Sequence, residues 1–420
     1  MKILIDLSNF SKSRYGGKAE VAYNLLKGFS KLGYVKNIIC VCGEDLVDTI
    51  KAIDPGYEII VCNGKYYTAF HKMINHAKKF LSSGFKGARD KGAENYSKGT
   101  ESNTDENKRP LFFLRAEWKL LGAEYARWLN KIVKERKLDL VLFTNKSRFV
   151  EKLKVPTVVI AHDVKGLYFG DDPVEILICK KTIKSADYVI AISEFDKNTM
   201  ISKMPKYRNK YKMIYDPIYF ESIKHTEDKY ITVLNIQHEH KNPRTVIEAF
   251  GKIAKDTDLD LCLVGKMPGN ADELKKCADD LALGSRISFT GFLPREEKDK
   301  IISKTRIFIN SSLFEGFGMP AIEMMGNEIP VIVADNTSQK EVTLGAARYY
   351  APANDSRTLA DVITDEIKNP KSKEELKNIS CKVKELYSYE KIANEYWQFM
   401  EECICYKVYP GRKKFDRNMF

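Results

Sequence analysis

The sequence predicts an α/β protein built from two doubly wound parallel sheets. Short apolar runs of strand length alternate with amphipathic helical patterns, which is typical of parallel strands joined by crossover helices. The alternation stops at a polar stretch, residues 218–229, and then starts again. A chain of 420 residues also exceeds the size of about 250–300 residues at which single cores stop growing. We therefore expect two domains that face each other, with a ligand in the cleft beyond the carboxyl ends of the strands.

The N-terminal domain is predicted to span residues 1–217. It opens with an apolar run at 3–7, a polar loop that contains Gly16 and Gly17, and an amphipathic helix at 18–32. The other strands of this domain are predicted at 38–42, 57–62, 138–143, 157–161, 188–192 and 212–215. Two further helices are predicted at 111–136 and 194–204.

The alternation is interrupted at residues 64–110. Apolar residues recur at helical spacing over 70–81 beside a basic face, and residues 84–109 have little to bury. We interpret this region as a basic amphipathic helix followed by a flexible loop. The helix and the basic tail at 406–420 form a candidate surface for an anionic membrane. A helix packed on its own domain with a solvated basic face is the alternative.

The C-terminal domain is predicted to span residues 218–388. Its strands are expected at 231–236, 260–264, 287–289, 307–310 and 331–333. Its helices are expected at 243–256, 270–283, 295–303 and 319–326. A last helix at 389–405 and the basic tail form a third segment, 389–420, which is a candidate to cross back to the N-terminal domain.

The bulk composition limits the partners and the location. The net charge of +12, from 69 basic and 57 acidic residues, favours anionic partners such as nucleotide phosphates or lipid headgroups. No motif of a nucleic-acid-binding fold accompanies the charge, so nucleic acid is not an expected partner. The nine scattered cysteines fit free thiols in a reducing compartment. Without a signal-peptide pattern or a long apolar run, we expect a cytoplasmic protein that is at most peripheral at the inner face of the membrane.

The most informative stretch runs from Asn310 to Glu323 and reads NSSLFEGFGMPAIE. A strand ends, a loop turns, and Pro320 lies near the first position of a helix, where its missing N–H costs nothing. The amides at such a helix start suit anionic or hydroxyl ligands, and the glycines permit close approach of the backbone. Glu315 and Glu323 flank the amides, and their carboxylates can accept hydrogen bonds from sugar hydroxyls. The alternative is an acid that favours the helix dipole and a solvated helical glutamate.

The E-x7-E pattern within EGFGMPAIE resembles the signature of glycosyltransferase family 4 (glycosyl transferases group 1), a retaining family with the GT-B fold of two facing Rossmann-like domains. The resemblance is strong over residues 230–360 and weaker over the N-terminal domain. It implies that Glu323 binds the ribose of a nucleotide and that Glu315 contacts the donor sugar near its anomeric centre. The amides of Phe317, Gly318 and Met319 are then expected to hold the sugar and the diphosphate.

The pair Lys241-Asn242 resembles the family's Lys-Asn stretch, which follows a strand and opens a helix. The resemblance implies that Lys241 neutralises the diphosphate as the glycosidic bond breaks, a form of electrostatic catalysis. The family usually adds an arginine several residues earlier, and this chain has none there. His238, His240 and Arg244 are the candidates to replace that arginine.

Two features of the N-terminal domain also resemble the family. Gly16-Gly17 resembles the glycine loop that approaches the donor phosphates across the cleft, although an ordinary turn explains two glycines equally well. His162-Asp163 follows the predicted strand at 157–161 and resembles the family's His-Asp pair, with His162 near the donor sugar. A histidine that only supports the structure is the alternative.

The resemblance implies a retaining glycosyltransferase that moves a hexose from a nucleotide-sugar donor to a saccharide or lipid-linked saccharide, in surface polysaccharide biosynthesis. No metal or other cofactor is expected, because such enzymes hold the diphosphate with basic groups and amides. The stretch at 238–240 has no third metal ligand at a fitting spacing. The alternatives are another enzyme of this fold, such as a nucleotide-sugar epimerase or a phosphorylase, and a non-catalytic scaffold.

Overall fold

The structure, a computed structural model, describes residues 1–12, 16–62, 111–147, 150–162 and 164–408. Three of the sequence predictions lie outside those residues. They concern the basic helix and loop at 64–110, Asp163, and the part of the basic tail beyond residue 408.

The first sheet comprises β1 Ile3–Asp6, β2 Ile38–Cys42, β3 Glu58–Val61, β4 Leu140–Phe143, β5 Thr157–Ile160, β6 Tyr188–Ala191 and β7 Tyr211–Met213. Within the described residues its order is β3-β2-β1-β4-β5-β6-β7, and all neighbouring strands are parallel. The order reverses between β1 and β4, which makes that position the switch point of a Rossmann-like sheet.

The second sheet comprises β8 Tyr230–Leu234, β9 Asp260–Val264, β10 Ile287–Phe289, β11 Thr305–Asn310, β12 Val331–Ala334 and β13 Arg348–Tyr350. These strands are again parallel, in the order β10-β9-β8-β11-β12-β13. The switch point of this sheet lies between β8 and β11. The prediction of two doubly wound sheets is therefore confirmed.

Helices cover both sheets. Those of the first domain are α1 Gly17–Lys31, α2 Val47–Ile53, α3 Leu111–Arg136, α4 Lys165–Phe169, α5 Pro173–Ser185 and α6 Glu194–Lys203. Those that follow are α7 Pro243–Ile253, α8 Ala271–Asp280, α9 Arg295–Ile302, α10 Met319–Gly326, α11 Gln339–Val342, α12 Ser356–Lys368, α13 Lys373–Tyr387 and α14 Tyr389–Val408. Among the described helices, none combines the length and the apolar character that a crossing of the bilayer requires.

Local sequence explains why these elements form where they do. Every residue of β1, β2, β4 and β5 is buried, as expected of parallel strands that are covered by helices on both faces. Helix α5 begins at Pro173, and the carboxylate of Asp172 accepts the backbone N–H groups of Val174 and Glu175. Such a cap satisfies N–H groups that have no partner inside the helix.

The chain passes between the domains twice, at residues 216–218 and at residues 387–389, and these two passages run side by side. The N–H of Ile218 donates to the carbonyl of Tyr387 at 2.8 Å, and the N–H of Tyr389 donates to the carbonyl of Ile218 at 3.1 Å. Helix α14 then lies against α1 and the turn that follows it, where the ring of Trp397 contacts Phe29 of α1 and stacks on Tyr34 with centroids 3.8 Å apart. The last helix therefore completes the core of the first domain.

Candidate active site

The loops after β8 and β11 meet at the switch point of the second sheet. Because these strands are neighbours and their connections lead to opposite sides, a crevice opens at their carboxyl ends. Lys241 lies on the first loop and Glu315 on the second. The topology therefore brings together two residues that are far apart in the sequence.

Lys241 and Glu315 form an ion pair in this crevice. The Nζ of Lys241 lies 2.6 Å from Oε1 of Glu315, and the two side chains are 16% and 12% exposed. The hydroxyl of Ser312 donates to the same carboxylate oxygen at 2.7 Å. An ammonium group has three N–H donors, so Lys241 can remain oriented by Glu315 while it donates to a phosphate.

Hydrogen bonds to the backbone tie the two loops together. The N–H of Leu313 donates to the carbonyl of His240 at 2.7 Å. The hydroxyl of Ser311 donates to the carbonyls of Lys241 and Asn242, at 2.7 and 3.2 Å. The sequence reasoning did not assign the two serines a role, although they stand directly before the glutamate motif. They hold Lys241 and Glu315 at a set distance from each other.

A third loop, which follows β12, holds the backbone of Glu315. The N–H of Glu315 donates to Oγ1 of Thr337 at 3.1 Å. The hydroxyl of Ser338 donates to the carbonyl of Glu315 at 2.9 Å. Both backbone groups of Glu315 are therefore satisfied by one loop, which restricts the direction of its side chain.

The glycine loop after Glu315 turns sharply into α10. Gly318 caps this helix with φ of 90° and ψ of 45°, a left-handed conformation that favours glycine. The ring of Phe317 is buried between Tyr215 and Tyr387, with centroid distances of 5.8 and 5.4 Å. Only the backbone of Phe317 is thus suited to contact a ligand. The donor-binding roles of Phe317, Gly318 and Met319 stay predictions.

The two glycine loops approach each other across the cleft. A Cβ atom added to Gly17 would lie 3.4 Å from the terminal methyl of Met319, whereas one added to Gly16 would meet no atom within 4 Å. Gly17 therefore marks the place where the first domain comes nearest to the start of α10. The donor-binding roles of Gly16 and Gly17 stay predictions.

Glu323 lies one turn into α10 and faces α1 of the first domain. Burial first, and then the charge of Glu20, raise the pKa of Glu323 to about 7. Lys298 and Arg295 of α9 act in the opposite direction without cancelling the shift. A carboxyl group with such a pKa changes its charge near neutral pH. The donor-binding role of Glu323 stays a prediction.

Asn242 connects the start of α7 to the loop that contains Ala353. It adopts a left-handed conformation with φ of 54° immediately before α7. Its amide nitrogen donates to the carbonyl of Ala353 at 2.8 Å, and its amide oxygen accepts from the hydroxyl of Thr245 at 2.9 Å. The predicted contact with the donor is neither supported nor contradicted by this arrangement.

The candidates to replace the missing arginine differ in their surroundings. Arg244 is exposed and donates to Glu248 on the outer side of α7, so it does not reach the crevice. Burial, and next the charges of Lys241 and Lys165, lower the pKa of His240 to about 4, which keeps its ring neutral at pH 7. His238 stacks on His240 with ring centroids 5.4 Å apart. Lys165, at the start of α4, thus adds a basic residue from the first domain that the sequence analysis did not identify.

His162 is only 2% exposed and lies two residues after the end of β5. Its Nε2 is 3.1 Å from the carbonyl of Thr144, and its Nδ1 is 3.5 Å from Oδ1 of Asp216 in the passage between the domains. Both ring nitrogens therefore face protein atoms. This placement favours the structural alternative, and a catalytic role for His162 stays a prediction.

Part of the chain is similar in sequence to known glycosyltransferases. Residues 217–383 match the family model of glycosyl transferases group 1. The chain is 25% identical over 236 residues to the O-antigen chain mannosyltransferase RfbU of Salmonella typhimurium. This match covers 54% of the chain and 65% of that relative, so the chain spans less than two thirds of its length.

Two solved structures share the fold over nearly the whole chain. HepE from Anabaena, in complex with UDP and glucose, aligns with a TM-score of 0.65 at 15% identity, over 96% of this chain and all of that one. Sucrose-phosphate synthase from Thermosynechococcus elongatus aligns with a TM-score of 0.69 at 14% identity, over 96% of this chain and 99% of that one. Identities this low show the fold alone, and they confirm the predicted GT-B architecture.

Proposed function

We propose that this protein is a retaining glycosyltransferase of family 4 that moves a hexose from a nucleotide-sugar donor to a saccharide or lipid-linked saccharide acceptor, in surface polysaccharide biosynthesis. The observation that carries the proposal is the Lys241–Glu315 pair at the switch point of the sheet. This pair lies within the segment that matches the glycosyltransferase family model. The mannosyltransferase relative supports a nucleotide-activated mannose as the first donor to test.

In the proposed reaction, the bond between the anomeric carbon and the diphosphate oxygen breaks. A bond from the acceptor hydroxyl oxygen forms on the same face, and the hydroxyl proton goes to the departing phosphate oxygen. Lys241 neutralises the charge that develops on the diphosphate. Glu315 accepts from the donor sugar hydroxyls and places negative charge near the anomeric carbon, where positive charge develops.

The other parts of the site supply binding. Glu323, in its ionised form, accepts from the ribose hydroxyls, and the amides of the glycine loop receive the donor oxygens at the start of α10. The proposal requires no metal or other cofactor, because Lys241 and the amides act on the diphosphate. It also includes a cytoplasmic location at the inner face of an anionic membrane, where a lipid-linked acceptor is available.

The first experiment is a thermal-shift panel of UDP, GDP, dTDP and their sugars. At least one nucleotide is expected to stabilise the protein at millimolar concentration. The stabilising donor is then followed for hydrolysis and transfer, and the configuration of the product is determined by NMR spectroscopy. An absence of stabilisation by every nucleotide would contradict the proposal, and an inverted product would contradict retention. Epimerised donor formed without an acceptor would replace the transferase with an epimerase.

Variants of Lys241 connect this activity to the site. Lys241→Met is expected to lower the turnover of the donor by roughly 100-fold, which is typical of removing one electrostatic stabiliser. Lys252 is a matched control, because it is an exposed lysine on the helix that follows Lys241. Equal activity of Lys241→Met and Lys252→Met would rule out the assigned role. Unchanged turnover after chelation of divalent metals is expected as well.

A further inference from the structure

A carboxylate of the second domain, Glu341, caps a helix of the first domain. Its Oε1 accepts the backbone N–H of Glu194 at 2.8 Å, and its Oε2 accepts that of Phe195 at 3.1 Å. These residues open α6, where the helix dipole favours an anion. The helix also has a cap of its own, because Ser193 accepts the N–H of Asp196 at 3.1 Å. Glu341 therefore satisfies the neighbouring N–H groups from the opposite domain.

Glu341 also contacts Tyr215, which lies directly before the first passage between the domains. The hydroxyl of Tyr215 is hydrogen-bonded to Glu341, and burial and the nearby carboxylate raise the pKa of Tyr215, so that it remains a donor. Tyr215 directly precedes Asp216-Pro217, and its ring packs on Phe317 of the glycine loop. One carboxylate thus contacts the first domain and the passage, and Tyr215 connects it to the glycine loop.

The loop before Glu341 is the one that holds Glu315. Thr337 and Ser338 bond to the N–H and the carbonyl of Glu315, and α11, which carries Glu341, begins at the next residue. On the other side of Glu315, Phe314 is 2% exposed and packs on rings of the first domain. The centroid of the Phe314 ring lies 5.6, 5.7 and 6.0 Å from the ring centroids of Tyr168, Phe169 and Phe195.

We infer that Glu341 is a positioning residue that couples closure of the two domains to the placement of Glu315 and the glycine loop. Its donors in α6 belong to the first domain, so these hydrogen bonds exist only while the domains are together. Opening the cleft breaks two charge-assisted hydrogen bonds and withdraws Phe314 from the rings around it. The consequence for catalysis rests on the proposed function, whereas the effect on domain closure does not.

The first test compares Glu341→Gln with Glu341→Asp. A glutamine oxygen accepts one N–H, but its amide nitrogen cannot accept the other, so the paired contact is lost. We expect kcat to fall roughly 10- to 100-fold, as for the loss of a charged hydrogen bond. The Kd for free nucleotide should change much less than kcat, since the residues assigned to the nucleotide remain and only the placement of the glycine loop is altered. Glu341→Asp keeps both oxygens and is expected to recover part of kcat.

The second test follows closure directly by small-angle X-ray scattering. Glu341→Gln is expected to show a larger radius of gyration than the wild type, with and without the stabilising nucleotide. Tyr215→Phe removes one donor to the same carboxylate. It should therefore change kcat and the radius of gyration less than Glu341→Gln does. In the double variant the two effects should not add, because the residues are in contact. Glu385→Gln, an exposed glutamate on α13, is the matched control.

The outcomes separate the inference from the proposed function. A wild-type kcat and radius of gyration in Glu341→Gln would overturn the inference even if the enzyme is active. An inactive wild type that binds no nucleotide would overturn the proposed function, and the scattering comparison would still decide on closure. If Glu341→Gln does not fold, Glu341→Asp and Tyr215→Phe provide the same comparison, and wild-type behaviour of both would overturn the inference.

Discussion

The contribution of the Lys241–Glu315 ion pair to the free energy of unfolding can be measured without any substrate. Removing one partner of a buried pair leaves an unpaired charge, which costs about 3–5 kcal/mol in a dry interior. The two side chains retain 16% and 12% exposure. We therefore expect a smaller loss, about 2 kcal/mol, for either Lys241→Met or Glu315→Gln. The double variant leaves no unpaired charge and should cost about 1 kcal/mol or less, far below the sum of about 4.

The assay is urea unfolding of the wild type, the two single variants and the double variant. The three tryptophans stand at positions 118, 128 and 397, and thus in the first domain or in the helix that crosses back to it. Far-UV circular dichroism is therefore the appropriate probe, since fluorescence would report mainly on the other domain. Additive losses within about 0.5 kcal/mol would refute the reasoning, because they would mean that the two charges do not interact energetically.

Two further predictions concern Glu323 and the contact between α1 and α14. The folded pKa of Glu323 is about 7 against an ordinary value of 4.5, so its contribution to stability is present below pH 4.5 and is lost as the pH rises through 7. Thermal unfolding should show a loss on the order of 2–3 kcal/mol between pH 5 and 8 that Glu323→Gln removes, and equal profiles for both proteins would contradict this. A Cβ at Gly28 would lie 2.4 Å from Cβ of Ala393 and 2.5 Å from the carbonyl oxygen of Tyr389. Gly28→Ala should therefore cost about 3 kcal/mol in urea unfolding, whereas Gly269→Ala, with no atom within 4 Å of its Cβ, should cost little; equal losses would contradict the packing argument.

The strands could be predicted from the sequence because parallel strands buried on both faces are continuous apolar runs. The runs at 38–42 and 260–264 coincide with β2 and β9. Strand β13 escaped detection, since its three residues begin with an arginine and form no such run. Helix α13 is strongly charged and was also not predicted, although the capping box formed by Ser372 and Glu375 was a usable signal.

In the candidate site, too, residues within a local motif could be predicted, whereas contacts between distant segments could not. Lys241 and Glu315 could be identified because each stands in a recognisable local stretch, and the order of the strands then brings them together. The surroundings of His162 could not be predicted, since they depend on Thr144 and Asp216, which come from other parts of the chain. The contact of Glu341 with α6 depends on how the domains meet. No periodicity or motif within one segment contains that information.

The packing of α14 on α1 has a consequence for how the chain is made. A ribosome that adds about 5–20 residues per second completes α1 tens of seconds before it completes α14. Until then, the apolar surface around Phe29 and Tyr34 lacks the ring of Trp397 that covers it in the finished protein. The first domain to be synthesised is thus not the first to be finished. Its final folding step waits until α14 has been synthesised, and this step is slow because the contact between α1 and α14 joins residues that are far apart in the sequence.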